Sequence, residues 1–128
     1  MYILSILFWF TICYLAGTFN GEATYYIVSV GYTACGTKHS NNEYIAALNA
    51  PQFDPYTPNG NPNKNSLFNK SAYITGPKGS VKVTIVDKCP ECRHGDLDLS
   101  EAAFRKVIGD LAVGREKIQW KWLWKCKI

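Results

Sequence analysis

The first 17 residues, MYILSILFWFTICYLAG, are almost wholly apolar, and no Lys, Arg, Asp or Glu occurs before Glu22. A run of this kind matches the core of a secretory signal and is shorter than the roughly 20 apolar residues a spanning helix needs. Residues 1–17 therefore read as a signal peptide cut somewhere between 16 and 20, and the mature chain as secreted and extracellular. About 111 of the 128 residues then remain to fold. That is one small domain, too short for repeats or a large cofactor cradle. No cofactor and no metal is expected. The 14 Lys and Arg against 10 Asp and Glu leave a formal charge of +4. This mild excess suits a polyanionic surface, but no basic run exceeds two residues, which argues against nucleic acid.

Loss of the leader removes Cys13 and leaves Cys35, Cys89, Cys92 and Cys126. In an oxidising compartment four cysteines suggest two disulfides, with three pairings open. Cys89 and Cys92 also form a CPEC motif. A redox reading is weaker, because about ten residues separate CPEC from the next helical pattern. A zinc site is weaker still, because Cys35, Cys126, His39 and His94 lack ligand spacing.

The mature chain alternates between β patterns and breakers. Residues 21–30 are dense in Tyr, Thr, Ile and Val, which favours a strand. Residues 44–48 form a second short apolar stretch. The segment PQFDPYTPNGNPNKNS, 51–66, holds four Pro and four Asn, and no regular element is expected there. Residues 71–75 and 80–86, joined by Gly-Pro-Lys-Gly, read as a hairpin in which Val81, Val83 and Ile85 share the buried face. Residues 100–108 carry the one good helical pattern, with Ser100 as its cap and Glu101 at the positive end of its dipole. Lys117 to Lys125 alternates strictly, placing Ile118, Trp120, Trp122 and Trp124 on one side. Such a row is more often core than a sugar-stacking platform. The elements add up to a mainly β domain, a small barrel with a helical insertion.

The stretch VTIVDKCPECRHGDLDLSEAAFRKV, 83–107, resembles the signature of the double-psi β-barrel of expansins, barwin-like proteins and rare lipoprotein A-like proteins. GEATYY at 21–26, ACG at 34–36, IAALNAPQFDP at 45–55 and GREKIQWKW at 114–122 resemble further family segments in the same order. The resemblance is nearest to small, single-domain, fungal-type expansin-like proteins. It implies a six-stranded double-psi β-barrel over 21–126 with one or two short helices, monomeric and without stable membrane association.

It also implies a polysaccharide-binding groove. By motif match the groove residues are Asp98 of DLS, Asp87 at the end of the preceding strand, Thr24 of ATY and the loop acid Glu91. Cys89 stands where relatives carry a groove tyrosine. A half-desolvated carboxylate at a groove floor can accept sugar hydroxyls, and can hold a proton for use as a general acid. Hydrolysis ordinarily needs a second carboxylate, and the opening strand offers only Glu22, so the enzyme reading leans to no. A lytic transglycosylase could act with Asp98 alone as its acid.

Each site residue has a plainer role. Asp98 with Glu101 could be a capping box, Asp87 could satisfy loop amides, and Thr24 could be an ordinary strand residue. The readings that follow are non-hydrolytic binding of chitin, cellulose or peptidoglycan, or a protein-binding module such as a cysteine-protease inhibitor or host–microbe effector, or a lytic enzyme. Asn69 heads an Asn-Lys-Ser sequon, a glycosylation site if the chain enters a eukaryotic secretory pathway.

Overall fold

The computed structural model describes residues 12–14 and 17–125, with side chains for 17–123. Most of the expected signal segment and Cys126 lie outside the described residues. Seven strands appear: β1 (Ile12–Tyr14), β2 (Phe19–Tyr25), β3 (Ile45–Asn49), β4 (Ser71–Gly76), β5 (Gly79–Cys89), β6 (Leu97–Leu99) and β7 (Glu116–Lys125). Their order is β1-β7-β2-β6-β3-β5-β4, and a further β7–β4 pairing closes strands β2 to β7 into a six-stranded barrel. The ladder is mixed. β2 runs parallel to β6 and β3 parallel to β5, while the other pairs are antiparallel. Closure leaves the short strand β1 as an appendage on the far end of β7, opposite Leu123 to Lys125.

The expected alternations hold. Val81, Val83 and Ile85 of β5 are buried and Lys82 is exposed, so the hairpin packs one face inward. On β7, Ile118 and Trp120 enter the core and Trp122 packs half-buried against it. The rings of Trp120 and Trp122 stand at 87° to each other, so they form no flat platform. Trp120 also donates its indole N–H to the Gly95 carbonyl at 2.8 Å, which satisfies a polar atom that burial would otherwise strand. The Trp124 side chain lies outside the described residues.

Helix α2 (Glu101–Val107) begins as expected: the Ser100 hydroxyl accepts from the Ala103 amide. Ala103, Phe104 and Val107 face the barrel, and all three are fully buried. The first strand is shorter than its sequence suggests. It ends at Tyr25, and Val28–Val30 form a single 3₁₀ turn.

The breaker-rich segment 51–66 departs from expectation more clearly, since it holds helix α1 (Ala50–Phe53) and three single 3₁₀ turns. Proline is compatible with a first helical turn, where its missing N–H would be unpaired anyway. Here each short turn carries a proline in its first or second position. Asn49 caps α1 through its side chain, accepting from the Gln52 amide at 3.0 Å. Phe53 plugs the core with no exposed surface. Buried Asn65 then ties the segment down, donating to the Phe53 carbonyl and the Thr57 hydroxyl at 2.8 Å each. An ion pair between Lys88 and Asp54, 2.8 Å, fastens the same loop to β5.

Among the described residues no helix is long and apolar enough to cross a membrane.

Candidate functional site

Four adjacent strands bring three of the four expected site residues into one row. Thr24 on β2 registers with Asp98 on β6, Asp98 with Ala47 on β3, and Ala47 with Asp87 on β5. Registered partners on neighbouring strands project to the same side of a sheet.

Asp98 is half-buried, and the Thr24 hydroxyl donates to its Oδ1 at 2.7 Å. It is not the helix cap, a role that Ser100 takes. Burial pushes the Asp98 carboxyl above its usual value. The Thr24 bond pulls it back, and the negative charges of Glu91 and Asp87 push it up again. This carboxyl lines an open cleft of about 610 Å³ together with Glu22, Thr24, Tyr25, Glu91, Asp96 and two arginines, Arg93 and Arg115. Glu91 is exposed on the turn after β5, as its loop position predicts. Glu22, the lone acid of the opening strand, is paired with Arg115 at 3.1 Å across the cleft.

Asp87 has a different environment. Its Oδ1 accepts the backbone amides of Ala34 and Lys88, at 2.6 and 2.9 Å, and its Oδ2 accepts the Tyr26 hydroxyl at 2.9 Å. The carboxylate thus anchors the 26–36 loop to the end of β5. Burial and the Asp87 charge together hold the Tyr26 phenol far above its ordinary range, so it remains a donor. Asp96 plays a similar part nearby, accepting the amides of Glu22 and Arg93. Neither Tyr26 nor Asp96 was singled out from sequence. Asp96 sits two residues before Asp98 in a run of acids and turn formers that gives no sign of which carboxylate turns inward.

Two glycines make the cleft wall possible. A Cβ on Gly21 would collide with the Gly95 carbonyl, and one on Gly95 with the Asn20 carbonyl. Gly95 also has a φ of 92°, which other residues rarely adopt. Strand β2 therefore lies hard against the turn that leads into Asp96 and Asp98.

The cysteines need one correction. Cys89 and Cys92 are joined to each other and form part of the cleft wall, where relatives were expected to carry tyrosine. Cys35, expected in a disulfide, is instead a free, buried thiol. Its position in the core cluster makes it a small apolar residue there. Burial, with help from Asp87, pushes that thiol up to about 11.

The remaining candidates stand outside the cleft. His39 bridges the Thr37 hydroxyl and Glu43, at 2.7 and 3.0 Å. His94 packs edge-on against Phe19. Asn69 is exposed, with a φ of 69°. No cluster of three or more metal-ligating side chains occurs among the described residues.

A closed six-stranded mixed barrel with two parallel pairings and two short helices defines the class of double-psi β-barrel proteins. Residues 18–120 match the family model described as lytic transglycolase, and the chain belongs to the expansin-like, double-psi β-barrel family. It is 33% identical to a papain inhibitor of Streptomyces mobaraensis over 89 residues, 69% of this chain and 59% of that protein. The solved Streptomyces papain inhibitor superposes with a TM-score of 0.74, covering 84% of this chain and 96% of that one. An expansin of Bacillus subtilis is 41% identical over 58 residues, 45% of this chain and 25% of the expansin. A Clavibacter michiganensis expansin, solved in complex with cellohexaose, is 26% identical with a TM-score of 0.71, over 88% of this chain and 53% of that one. The chain thus spans 59% and 25% of the two full-length relatives it matches.

Proposed function

We propose that this chain is a secreted, non-hydrolytic binder of cell-wall polysaccharide, with Asp98, Thr24 and Glu91 contacting the glycan. The observation that carries this reading is the Asp98 carboxylate, which opens into a polar cleft and accepts from one side-chain hydroxyl, Thr24. Its remaining lone pairs are available to sugar hydroxyls. Asp87 is not among the residues lining the cleft and enters this reading as the anchor of the 26–36 loop, because its oxygens already hold two amides and a phenol. The likeness to an expansin solved with cellohexaose supports a β-linked glucan or a chemically similar chain as ligand.

Co-sedimentation with chitin, cellulose and peptidoglycan tests it, using Asp98→Ala alongside the wild type. Retention on one of these polymers, lost in the variant, supports the reading. Retention that survives the substitution removes the cleft from the account. Release of soluble fragments from peptidoglycan, abolished by Asp98→Asn, would replace binding with a lytic reaction in which Asp98 is the acid.

A second reading rests on the papain inhibitor, to which this chain is 33% identical. In that reading the prominent 51–66 segment, with Tyr56 exposed on it, presents a rigid face to a cysteine protease. Titration of papain activity tests it: inhibition that weakens in Tyr56→Ala and persists in Asp98→Ala would assign the activity to that loop.

A further inference from the structure

The CPEC motif ends β5 and turns into the cleft wall. Cys89 registers with Asn49 of β3 and is buried, while Cys92 is half-buried, and both line the cleft. The disulfide between them closes a ring around Pro90 and Glu91, both exposed.

The rest of this turn is held by other bonds. The Arg93 amide donates to the Asp96 carboxylate, and the Asp96 amide donates back to the Arg93 carbonyl. Gly95 is fixed from two sides, by the Gln52 side chain on its amide and the Trp120 indole on its carbonyl. Residues 90–92 have one hydrogen bond besides the disulfide among the described residues. It runs from the Cys92 amide to the Cys89 carbonyl at 3.4 Å, longer than an ordinary N–H···O bond. The place of Glu91 in the cleft therefore depends on the S–S bond.

We infer that the Cys89–Cys92 disulfide is a thiol-exchange site, and that its reduction by a dithiol loosens the Glu91 tip and weakens binding in the cleft. The effect on binding rests on the polysaccharide reading; the exchange does not. A ring with two residues between its cysteines gains little from chain entropy, since a disulfide stabilises more as the loop it closes lengthens. Cys92, the more exposed of the pair, is the point of attack. A thiolate of the reductant bonds to Cys92 Sγ, and Cys89 Sγ leaves with the electron pair and takes up a proton. The reductant's second thiolate then attacks the reductant sulfur of that mixed disulfide, and Cys92 Sγ leaves in the same way. Two electrons and two protons pass to the protein, and the dithiol ends as a disulfide. The barrel stays closed throughout, because Cys89 remains in the β3–β5 ladder and Asp96 keeps the amides of Glu22 and Arg93.

Titration of the native protein with dithiothreitol, followed by iodoacetamide trapping and peptide mass spectrometry, tests the site. Cys89 and Cys92 should be alkylated while Cys35, buried in the core, is not. Relaxation of ¹⁵N should show the order parameters of Glu91 and Cys92 falling from about 0.85 to below about 0.6, with residues 97–99 unchanged. Reduction should weaken co-sedimentation with the retained polymer about fivefold, because a freed side chain must be ordered again on binding. Glutathione disulfide should restore it. Alkylation of Cys35 together with the pair would overturn the inference, since reduction would then follow unfolding. So would an unchanged order parameter at Glu91, or equal retention of the oxidised and reduced protein. If the oxidised protein is retained on no polymer, the polysaccharide reading fails, and trapping and relaxation alone decide the exchange site.

Discussion

Asp87 and Asp98 stand on opposite sides of Ala47, each in register with it on a neighbouring strand, so two carboxylates flank one methyl group at the base of the row. Two strand spacings put their backbones about 10 Å apart. The two acids nevertheless divide their tasks. Asp87 accepts from two amides and a phenol, and Asp98 from a single threonine hydroxyl.

That division predicts opposite mutational behaviour. Asp87→Ala strands the Ala34 and Lys88 amides and the Tyr26 hydroxyl, and a lost acceptor costs about 1–3 kcal/mol per buried donor. With partial hydration of a half-buried site, Asp87→Ala should lower stability by about 2–4 kcal/mol in urea unfolding. Asp98→Ala should lower it by less than about 1 kcal/mol. Equal losses would show that Asp98 is as structural as its companion.

The pH dependence of Asp98 has a definite sign. Its folded carboxyl titrates above the ordinary value of 3.8, chiefly through burial, so the ionised form costs stability. The cost is fully present above the folded pKa and is relieved as pH falls through it toward 3.8. Asp98→Asn should therefore melt higher than wild type at pH 7, with the difference shrinking as the pH approaches 3. Thr24→Val removes the bond that favours the charged form and should move the Asp98 titration further up, read by carbon-detected NMR of the carboxyl.

Trp120 separates packing from hydrogen bonding. Trp120→Ala opens a cavity in the core and should cost about 3–5 kcal/mol. Trp120→Phe keeps a ring but leaves the Gly95 carbonyl without its indole donor, and should cost about 1–3 kcal/mol. Chemical denaturation of both variants checks the pair, and a neutral Trp120→Phe would mean that the Gly95 carbonyl finds water.

Cys35 should be inert in the folded chain. With its thiol pushed up to about 11 from 9.0, the thiolate fraction at pH 8 is about a hundredfold lower than in an unfolded chain. Alkylation at Cys35, followed by peptide mass spectrometry at pH 8, should be at least about a hundredfold slower in native than in urea-unfolded protein. Rapid native labelling at that position would contradict its burial.

Gly21→Ala should be poorly tolerated, since the new methyl meets the Gly95 carbonyl. The expected signs are a lower melting temperature and weaker glycan retention in the same variant, because the displaced turn leads into Asp96 and Asp98. A stability loss with full retention would separate the turn from the cleft.

Local pattern determined much of this molecule before any tertiary contact was considered. Alternation in 81–85 and 117–125 marks half-buried strands, and both are found. Ser100 before an apolar helical repeat marks a cap, and it caps. Motif order along the chain points to the barrel. Period-two and 3.6-residue patterns survive because each residue's face depends only on its own backbone geometry.

What only the tertiary structure decided depends on partners distant in sequence. Thr24 and Asp98 are 74 residues apart, and Asp87 and Ala34 are 53 apart. No local pattern says which of two acids near strand ends will be spent on a loop's amides and which will be left in an open cleft. Register between non-adjacent strands settles it, by choosing the neighbours of each side chain. The same packing leaves Cys35 in the core with its thiol unpaired.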